Sequence, residues 1–285
     1  MNELLARAAL FSAIEAGHPF WSSEISTQGA LVVYKKLLSG GYDSIKNEKL
    51  ISALGQVSAD QVLTEIDKYQ ARLITPIDDD WPKQVNDLAA PPIALILKGN
   101  ISALLQQSLA IVGTRNPTSY GARIAGDFAA GFADREWAIV SGGAYGIDSY
   151  AHKGALIAEG VTVAVIASGI DINYPAGNTR LFAEICESGA MVTEFMPGQR
   201  ALPHRFLTRN RLIASLSKAT LVVEAAFRSG SLRTARDAAE IFRPVMAIPG
   251  PINSPTSEGC HRLIGERAAE IVTSVADAVE FVGAN

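Results

Sequence analysis

The fold is decided by the segment LAIVGTRNPTSYG, residues 109–121, in which a short apolar run ends at a glycine and a polar loop before a helix begins. The same order of apolar run, loop and helix recurs along the rest of the chain. The other apolar runs are residues 138–140, 161–167, 190–193, 220–223 and 245–248. Strands that are apolar on both faces are typical of parallel sheets covered by helices. The alternation therefore predicts an α/β fold around a parallel sheet.

The chain before residue 70 has a different pattern. Apolar and small residues recur at helical spacing from Leu4 to Ser12, and Ser58 is a suitable N-cap for a helix over residues 59–69. Residues 78–82 and 90–92, rich in Asp and Pro, indicate turns in a connecting segment. We predict a small all-helical domain over residues 1–70 and an α/β domain over residues 71–285.

Composition restricts the function. The 285 residues are 48% hydrophobic and carry a net charge of −4, which argues against a protein that coats duplex DNA indiscriminately. The only cysteines, Cys186 and Cys260, form no CxxC pattern, so we expect neither a metal nor another cofactor. The N-terminus lacks a signal-peptide pattern, and no apolar run approaches the roughly 20 residues of a membrane span. We expect a cytoplasmic protein that does not contact a membrane.

One stretch departs from the acidic average. Between residues 200 and 236 there is one acid, Glu224, against eight basic side chains: Arg200, Arg205, Arg209, Arg211, Lys218, Arg228, Arg233 and Arg236. Most of them follow predicted strands, so they can converge at one edge of the sheet and neutralise a polyanion. A nucleic acid strand is the natural polyanion.

The loops after the strands supply candidates for such a site, because the carboxyl ends of parallel strands carry the ligand in open α/β sheets. The first loop leaves its strand at Gly113 and offers Thr114 and Arg115, as a phosphate cradle with a fixed cation would. It is neither GxGxxG nor GxxxxGK[ST], and Ser141 stands where a dinucleotide site needs an acid, which disfavours NAD and ATP. Tight packing is the alternative reading of Gly113 and Gly121.

The second loop, residues 141–148, contains Gly142 and Gly143 and can present N–H groups to an anion. Asp148 is positioned to cap the helix that follows, and His152 is more simply a packing or capping residue than a catalyst. Asp171 and Glu224 follow the third and fifth strands. They could act as paired acids, or they could orient an arginine or cap a helix.

The last two loops complete the predicted site. Residues 194–209 form a long fourth loop that leads into a helix. It contains Phe206, which could stack a base or belong to the core. The fifth loop places hydroxyls beside Arg228 at a helix start. We predict that Arg115, Arg211 and Arg228 converge.

These motifs together resemble the DNA-processing protein A family, DprA, also called Smf. The resemblance is carried by IVGTR at 111–115, SGGAYGID at 141–148, RNRLI at 209–213 and IPG at 248–250, in that order. It implies an extended Rossmann-like domain that binds single-stranded DNA and loads the RecA recombinase during natural transformation, as a homodimer and without catalysis. It also implies an N-terminal domain of the sterile-alpha-motif type. Many relatives end in a winged-helix-like domain, which we expect to be absent here.

The predicted function is therefore protection of incoming single-stranded DNA and its transfer to RecA. The predicted DNA-binding residues are Gly113, Thr114, Arg115, Gly142, Gly143, Phe206, Arg209, Asn210, Arg211, Arg228, Ser229, Gly230 and Ser231. A rival of another class is an enzyme like the nucleoside-monophosphate phosphoribohydrolases, with Glu224 as its carboxylate. The chain lacks the PGGxGT-type loop of those enzymes. A scaffold that meets an acidic protein is a third reading.

Overall fold

The structure, a computed structural model, describes residues 1–283. The N-terminal region is helical, with α1 (Glu3–Ala13), α2 (Pro19–Gln28), α3 (Ala30–Leu38), α4 (Glu48–Gln56) and α5 (Ala59–Asp67). Ser58 caps α5 as predicted, because its side chain accepts a hydrogen bond from the Gln61 N–H at 3.4 Å. The helix ends two residues earlier than the predicted position 69.

Within residues 1–283, nine strands follow in a single sheet. They are β1 (Ala71–Ile74), β2 (Leu95–Gly99), β3 (Ser108–Val112), β4 (Ala138–Ser141), β5 (Thr162–Val165), β6 (Ala190–Thr193), β7 (Ala219–Val222), β8 (Val245–Ala247) and β9 (Glu270–Ile271). Their order is β1-β2-β6-β5-β4-β3-β7-β8-β9, with β1 and β2 antiparallel to their neighbours and the rest parallel. The six predicted strands are confirmed. The sequence reading missed β1, β2 and β9, which lie toward the two edges of the sheet.

Helices cover both faces of this sheet. They are α6 (Ser119–Ala133), α7 (Ile147–Ile157), α8 (Thr179–Ser188), α9 (Pro203–Leu216), α10 (Ser231–Glu240), α11 (Glu258–Gly265) and α12 (Val275–Gly283). One buried cluster joins the sheet to α6 and α7, and a second joins its other face to α9 and α10. The predicted Rossmann-like α/β class and the helical N-terminal region are confirmed.

The N-terminal helices share buried contacts with the sheet. Phe11 of α1 and Ile66 of α5 belong to the same apolar cluster as Ile96 of β2 and Phe182 of α8. The division of the chain into domains at residue 70 stays a prediction, since these helices bury part of their apolar surface against the second unit.

The chain changes direction within the sheet beside β3. From β3 it runs through β4, β5 and β6 to one side, and then crosses back so that β7 pairs with the other side of β3. Loops diverge at such a switch point and leave a crevice at the carboxyl ends of the strands. Within residues 1–283, no helix has both the length and the apolar character needed to cross a membrane.

Candidate nucleic-acid interface

A cleft lies over the carboxyl ends of β3, β4 and β5, where their loops meet the start of α9. It consists of two adjoining cavities with empty volumes of about 400 and 500 Å³. Both cavities are lined by Arg115, Ala144 and Phe206, so they form one continuous cleft with these residues between its halves. The cleft occupies the switch-point crevice at which ligands of open α/β sheets bind.

Phe206 stands at the centre of the cleft with its ring half-buried. The guanidinium carbon of Arg115 lies 5.1 Å from the ring centroid, and that of Arg209 lies 5.9 Å from it. The ring of Tyr174, a residue that is 46% exposed, is 5.5 Å away. Aromatic faces and guanidinium planes are the groups on which unpaired bases stack, and the cations can also neutralise phosphate.

Helix α9 supplies Phe206 and Arg209, which corrects the predicted long loop. The helix begins at Pro203 rather than after Arg209, because a proline at the first helical position has the required φ and needs no hydrogen-bond donor. The loop after β6 is therefore residues 194–202. Phe206, Arg209 and Asn210 are spaced i, i+3 and i+4 and lie on one face of α9, toward the cleft.

Arg209 forms the floor of the cleft. It is 5% exposed, and its Nη1 donates to the Val165 carbonyl at 2.9 Å. Burial lowers the pKa of this arginine to about 10, while nearby Asp148 favours its charged form. Gly142 packs directly against it, since a Cβ at position 142 would overlap the guanidinium. The glycine is required here by the arginine and not by an unusual backbone conformation.

Two N–H groups of the second loop are already bonded within the protein. The Asp148 carboxylate already accepts hydrogen bonds from the Gly142 N–H at 3.1 Å and the Ala144 N–H at 3.3 Å. The predicted N-cap role of Asp148 is wrong, because the residue before α7 is Gly146 and Asp148 lies inside the first turn. Burial raises the pKa of this carboxyl, and Arg209 and the two N–H groups oppose that rise.

The fifth loop borders the cleft through Gly230 and Ser231. Asn210 Nδ2 donates to the Gly230 carbonyl at 3.2 Å, which ties this loop to α9. The hydroxyls of Ser229 and Ser231 are 2.7 Å apart and bond each other. Ser229 itself does not line the cleft, so it acts on the cleft through Ser231.

Arg211 does not converge with the other predicted residues. Its Nη2 donates to both carboxylate oxygens of Glu194, at 2.6 and 2.5 Å, and its Nη1 donates to the Ala90 carbonyl at 2.6 Å. The Glu194 side chain is 4% exposed, so the pair is buried. Arg211 is one residue past Asn210 and points to the opposite side of α9, toward the N-terminal helices. The predicted position of Arg211 in the groove is wrong.

The basic residues between positions 200 and 236 therefore do not gather at one place. Of the eight, Arg209 alone lines the cleft within residues 1–283, where it joins Arg115 from the first loop. Arg205 pairs with Glu15, and Lys218 precedes β7 and so lies at the opposite edge of the sheet. Arg228 is exposed but lies outside the two cavities. Local sequence density overestimated the charge of the cleft. Three of these arginines form ion pairs within the protein, and Arg200, Lys218, Arg228 and Arg236 lie outside the two cavities.

Three predicted residues contribute their backbone or their small size. The Thr114 N–H donates to the Glu224 carbonyl at 2.7 Å, and the Thr114 carbonyl accepts from Ile147 at 3.1 Å. Gly113 lines the cleft, and a Cβ there would meet the Ile147 side chain at 2.6 Å. Gly143 has φ of 66° and lies against the Phe182 ring. Close packing explains both glycines.

The two candidate acids hold loops in place. The Glu224 side chain accepts hydrogen bonds from the Thr118 hydroxyl at 2.7 Å, the Thr118 N–H at 2.9 Å and the Thr256 hydroxyl at 3.2 Å. Asp171 accepts from the Gly198 N–H at 2.9 and 3.0 Å. Glu224 is 3% exposed. The structural reading of both acids therefore agrees with their contacts.

His152 is fully buried and takes a packing role. The Thr162 hydroxyl donates to the Ile139 carbonyl at 2.7 Å, so the proton in the 2.7 Å contact between Thr162 and His152 comes from Nδ1 of the imidazole. Burial, together with the positive charge of Arg209, lowers the pKa of His152 to about 3. A histidine that remains neutral across the physiological range fits the packing reading.

Sequence reasoning missed two aromatic residues as members of the site. Tyr145 and Tyr174 line the cleft and are 50% and 46% exposed. The Tyr145 hydroxyl accepts a hydrogen bond from the Gly177 N–H at 3.2 Å, which connects the loops after β4 and β5. Both tyrosines stand in loops that directly follow predicted strands, and this position was the signal that could have identified them.

The fold and the cleft together define a class of protein: a Rossmann-like α/β protein with arginine and aromatic side chains in the crevice at its switch point. The sequence pattern of the DNA recombination-mediator protein A family matches residues 72–283. The chain belongs to this family. The family assignment agrees with the resemblance seen in the sequence.

Individual relatives give the same result. The putative DNA processing protein DprA of Mycobacterium tuberculosis is 47% identical over 225 residues, which are 74% of this chain and 58% of that protein. The X-ray structure of DprA from Streptococcus pneumoniae superposes with a TM-score of 0.83 at 34% identity and 95% coverage of each chain. The Helicobacter pylori DprA structure, which describes a single-stranded DNA binding mode, has a TM-score of 0.69 at 29% identity, covering 75% of this chain and 95% of that one. The chain thus spans a little under 60% of the length of the M. tuberculosis relative.

Proposed function

We propose that this protein binds single-stranded DNA without sequence preference, in the cleft around Phe206. The observation that carries the proposal is the half-buried Phe206 ring with a guanidinium 5.1 Å away and a partly exposed tyrosine ring 5.5 Å away. An unpaired base can stack in this group, whereas the bases of a duplex already stack on each other. The single-stranded DNA binding described for the H. pylori relative supports the proposal.

Cations beside the ring supply the electrostatic part of binding. Arg115 is exposed at the mouth of the cleft and Arg209 is buried at its floor, with the Asp148 carboxylate offsetting one charge. The surplus of positive charge in the cleft is small, so base stacking should contribute a larger share of the affinity than it does in a strongly basic groove. Phosphate contacts are blind to sequence, which makes binding general and sensitive to salt.

Fluorescence anisotropy with labelled oligonucleotides at several salt concentrations tests this proposal. Phe206→Ala should weaken binding by about 1–3 kcal/mol, the value of one stacked base. Arg115→Ala should weaken it too and should reduce the slope of log K against log salt by about 0.7, the value for one phosphate on a single strand. Lys218→Ala is the matched control, since it removes an exposed cation at the far edge of the sheet.

The outcomes separate clearly. Loss of affinity in the Phe206 and Arg115 variants with none in the Lys218 variant places the strand in the cleft. If both cleft variants bind as tightly as the parent, the strand binds elsewhere. If the parent prefers duplex to single strand, the stacking mechanism is wrong.

We further propose that the protein is not an enzyme of the phosphoribohydrolase type. The carboxylate that such a reaction would use, Glu224, has three hydrogen bonds from Thr118 and Thr256 and holds two loops together. Glu224→Ala should lower the melting temperature, and nucleotides incubated with the parent should release no free base. Base release that is lost in this variant would support the enzyme.

The finer biological role is also a proposal. We propose that the protein protects incoming strands and loads RecA on them during natural transformation, in the cytoplasm and as a homodimer. The family description as a recombination mediator supports this role. Linking two cleft sites on one strand would raise avidity, which is the physical benefit of a dimer. Light scattering at micromolar protein should show a dimer, and a strand-exchange assay with RecA should proceed faster when the protein is present.

A further inference from the structure

A second aromatic ring with a guanidinium on it lies farther along the same edge of the sheet. Phe227, in the loop after β7, is 48% exposed, and the Arg262 guanidinium carbon from α11 lies 4.8 Å from its ring centroid. The arrangement repeats the pairing of Phe206 with Arg115 in the cleft. The Phe227 ring offers a flat face at the surface, beside a cation, on which a base could stack.

This second pair is close to the cleft in the order of strands and loops. Phe227 lies three residues before Gly230, which lines the cleft. Its strand β7 is the immediate neighbour of β3, and α11 follows β8, the next strand in the sheet. The loops that carry Arg115 and Phe227 therefore leave the sheet from adjacent strands, which are about 5 Å apart.

Hydrogen bonds hold the loops beneath this pair together. The Ala225 N–H donates to the Thr256 carbonyl at 2.7 Å, and the Gly259 N–H donates to the Ala225 carbonyl at 2.8 Å. The loop after β7, the loop after β8 and the start of α11 are therefore fastened to each other. Phe227 and Arg262 project from a joined base, although both lie outside the core.

Charge at this surface suits a phosphate backbone. Arg228 is exposed and makes no ion pair with any of residues 1–283. Arg262 pairs with Glu266 at 2.5 Å, and the exposed Glu258 begins α11, so their carboxylates offset part of the positive charge. Arg228 is thus the cation available to a strand, and the Phe227 ring is the apolar face beside it.

We propose that Phe227, Arg228 and Arg262 form a second subsite, which binds the same single strand of DNA after it leaves the cleft. The inference rests on the proposed function, because it extends the path of the strand. The subsite stacks one base on the Phe227 ring, and Arg228 contacts an adjacent phosphate. A strand that fills the cleft alone is too short to reach it.

Oligonucleotide length provides the test. Fluorescence anisotropy on the full chain compares single strands of about 6 and about 20 nucleotides. The first length is within the range of site sizes for one single-strand binding site, and the second is beyond it. Phe227→Ala should bind the long strand about 5-fold or more weakly and the short strand as the parent does. Arg228→Ala should reduce the salt slope by about 0.7 for the long strand only.

Matched controls keep the result interpretable. Phe242→Ala removes a more exposed phenylalanine, 95% against 48% for Phe227, that lies before β8 and therefore at the opposite edge of the sheet. It should leave the binding of both strands unchanged. Equal melting temperatures of the variants and the parent exclude misfolding as the cause of an affinity change.

Failure of the subsite and failure of the cleft give different results. If Phe227→Ala and Arg228→Ala bind the long strand as the parent does, while Phe206→Ala binds both strands weakly, the subsite is refuted and the cleft stands. If Phe227→Ala weakens both lengths equally, Phe227 belongs to the cleft and the second subsite is also refuted. If the parent binds neither strand, the proposed function itself is wrong.

Discussion

Replacement of Arg211 by alanine tests whether this residue belongs to the DNA site or to the interior. In the structure, Arg211 neutralises the buried Glu194 carboxylate and also donates to the Ala90 carbonyl. Arg211→Ala leaves the carboxylate, with 4% of its side chain exposed, without its counter-ion. Removing one partner of a buried ion pair costs about 3–5 kcal/mol, a large part of the roughly 5–15 kcal/mol that stabilises a typical protein.

The pH dependence of the unfolding free energy provides a second test of the buried Arg211–Glu194 pair. Burial already raises the pKa of Glu194 with Arg211 beside it, and loss of the arginine removes the main opposing influence. A carboxyl whose folded-state pKa lies above its unfolded value destabilises the protein at high pH, and the effect fades as pH falls and the group becomes protonated. The deficit of the variant relative to the parent should therefore shrink from pH 7 toward pH 5. Glu194→Gln in the same chain should restore much of the lost stability at pH 7.

Urea unfolding followed by circular dichroism measures these quantities, and anisotropy on the folded variant measures DNA binding. Lys218→Ala should change the unfolding free energy by less than about 0.5 kcal/mol, as is usual for an exposed side chain. Below the onset of unfolding, Arg211→Ala should bind single-stranded DNA with a salt slope equal to that of the parent. If Arg211→Ala keeps the stability of the parent but lowers the slope of log K against log salt by the value for one phosphate, the buried ion pair is refuted. Arg211 would then be a residue of the DNA-binding groove.

Two further predictions concern the floor of the cleft. Because burial lowers the pKa of His152 from 6.5 to about 3, the unfolded chain takes up a proton that the folded chain refuses, and stability falls as pH drops below 6.5. Protonation of His152 should lower the free energy of unfolding by about 2 kcal/mol between pH 6.5 and 5. In urea unfolding, His152→Gln should lack this part of the pH dependence of stability. Gly142→Ala should displace the Arg209 guanidinium, break its bond to Val165 and cost about 2 kcal/mol together with weaker oligonucleotide binding. Gly230→Ala, with φ of −61° and open space around the new Cβ, should retain full stability; equal behaviour of the two glycine variants would contradict the packing at position 142.

The sequence predicted the central sheet well, because six of its strands are short runs that are apolar on both faces. The antiparallel strands β1 and β2 were missed, since they are flanked by prolines and aspartates that indicate turns. Phe206, Arg209 and Asn210 were correctly assigned to one place, yet as parts of a loop; the proline that starts α9 was the signal for the helix. Arg211 was misplaced because consecutive side chains on a helix differ in direction by about 100°. Only the fold shows that Glu194 lies on the side of α9 to which Arg211 points. Whether a basic residue forms an ion pair or stays exposed depends on contacts between residues that are far apart in the sequence.

Helix α9 contacts both the cleft and the N-terminal region, which couples the two thermodynamically. One side of it lines the cleft, while Arg205 on the other side bonds Glu15 in the segment after α1. A ligand that restrains the helix should therefore slow amide hydrogen exchange around Glu15, 190 residues before Arg205 in sequence. Weakening the Arg205–Glu15 bond should in turn lower the affinity of such a ligand.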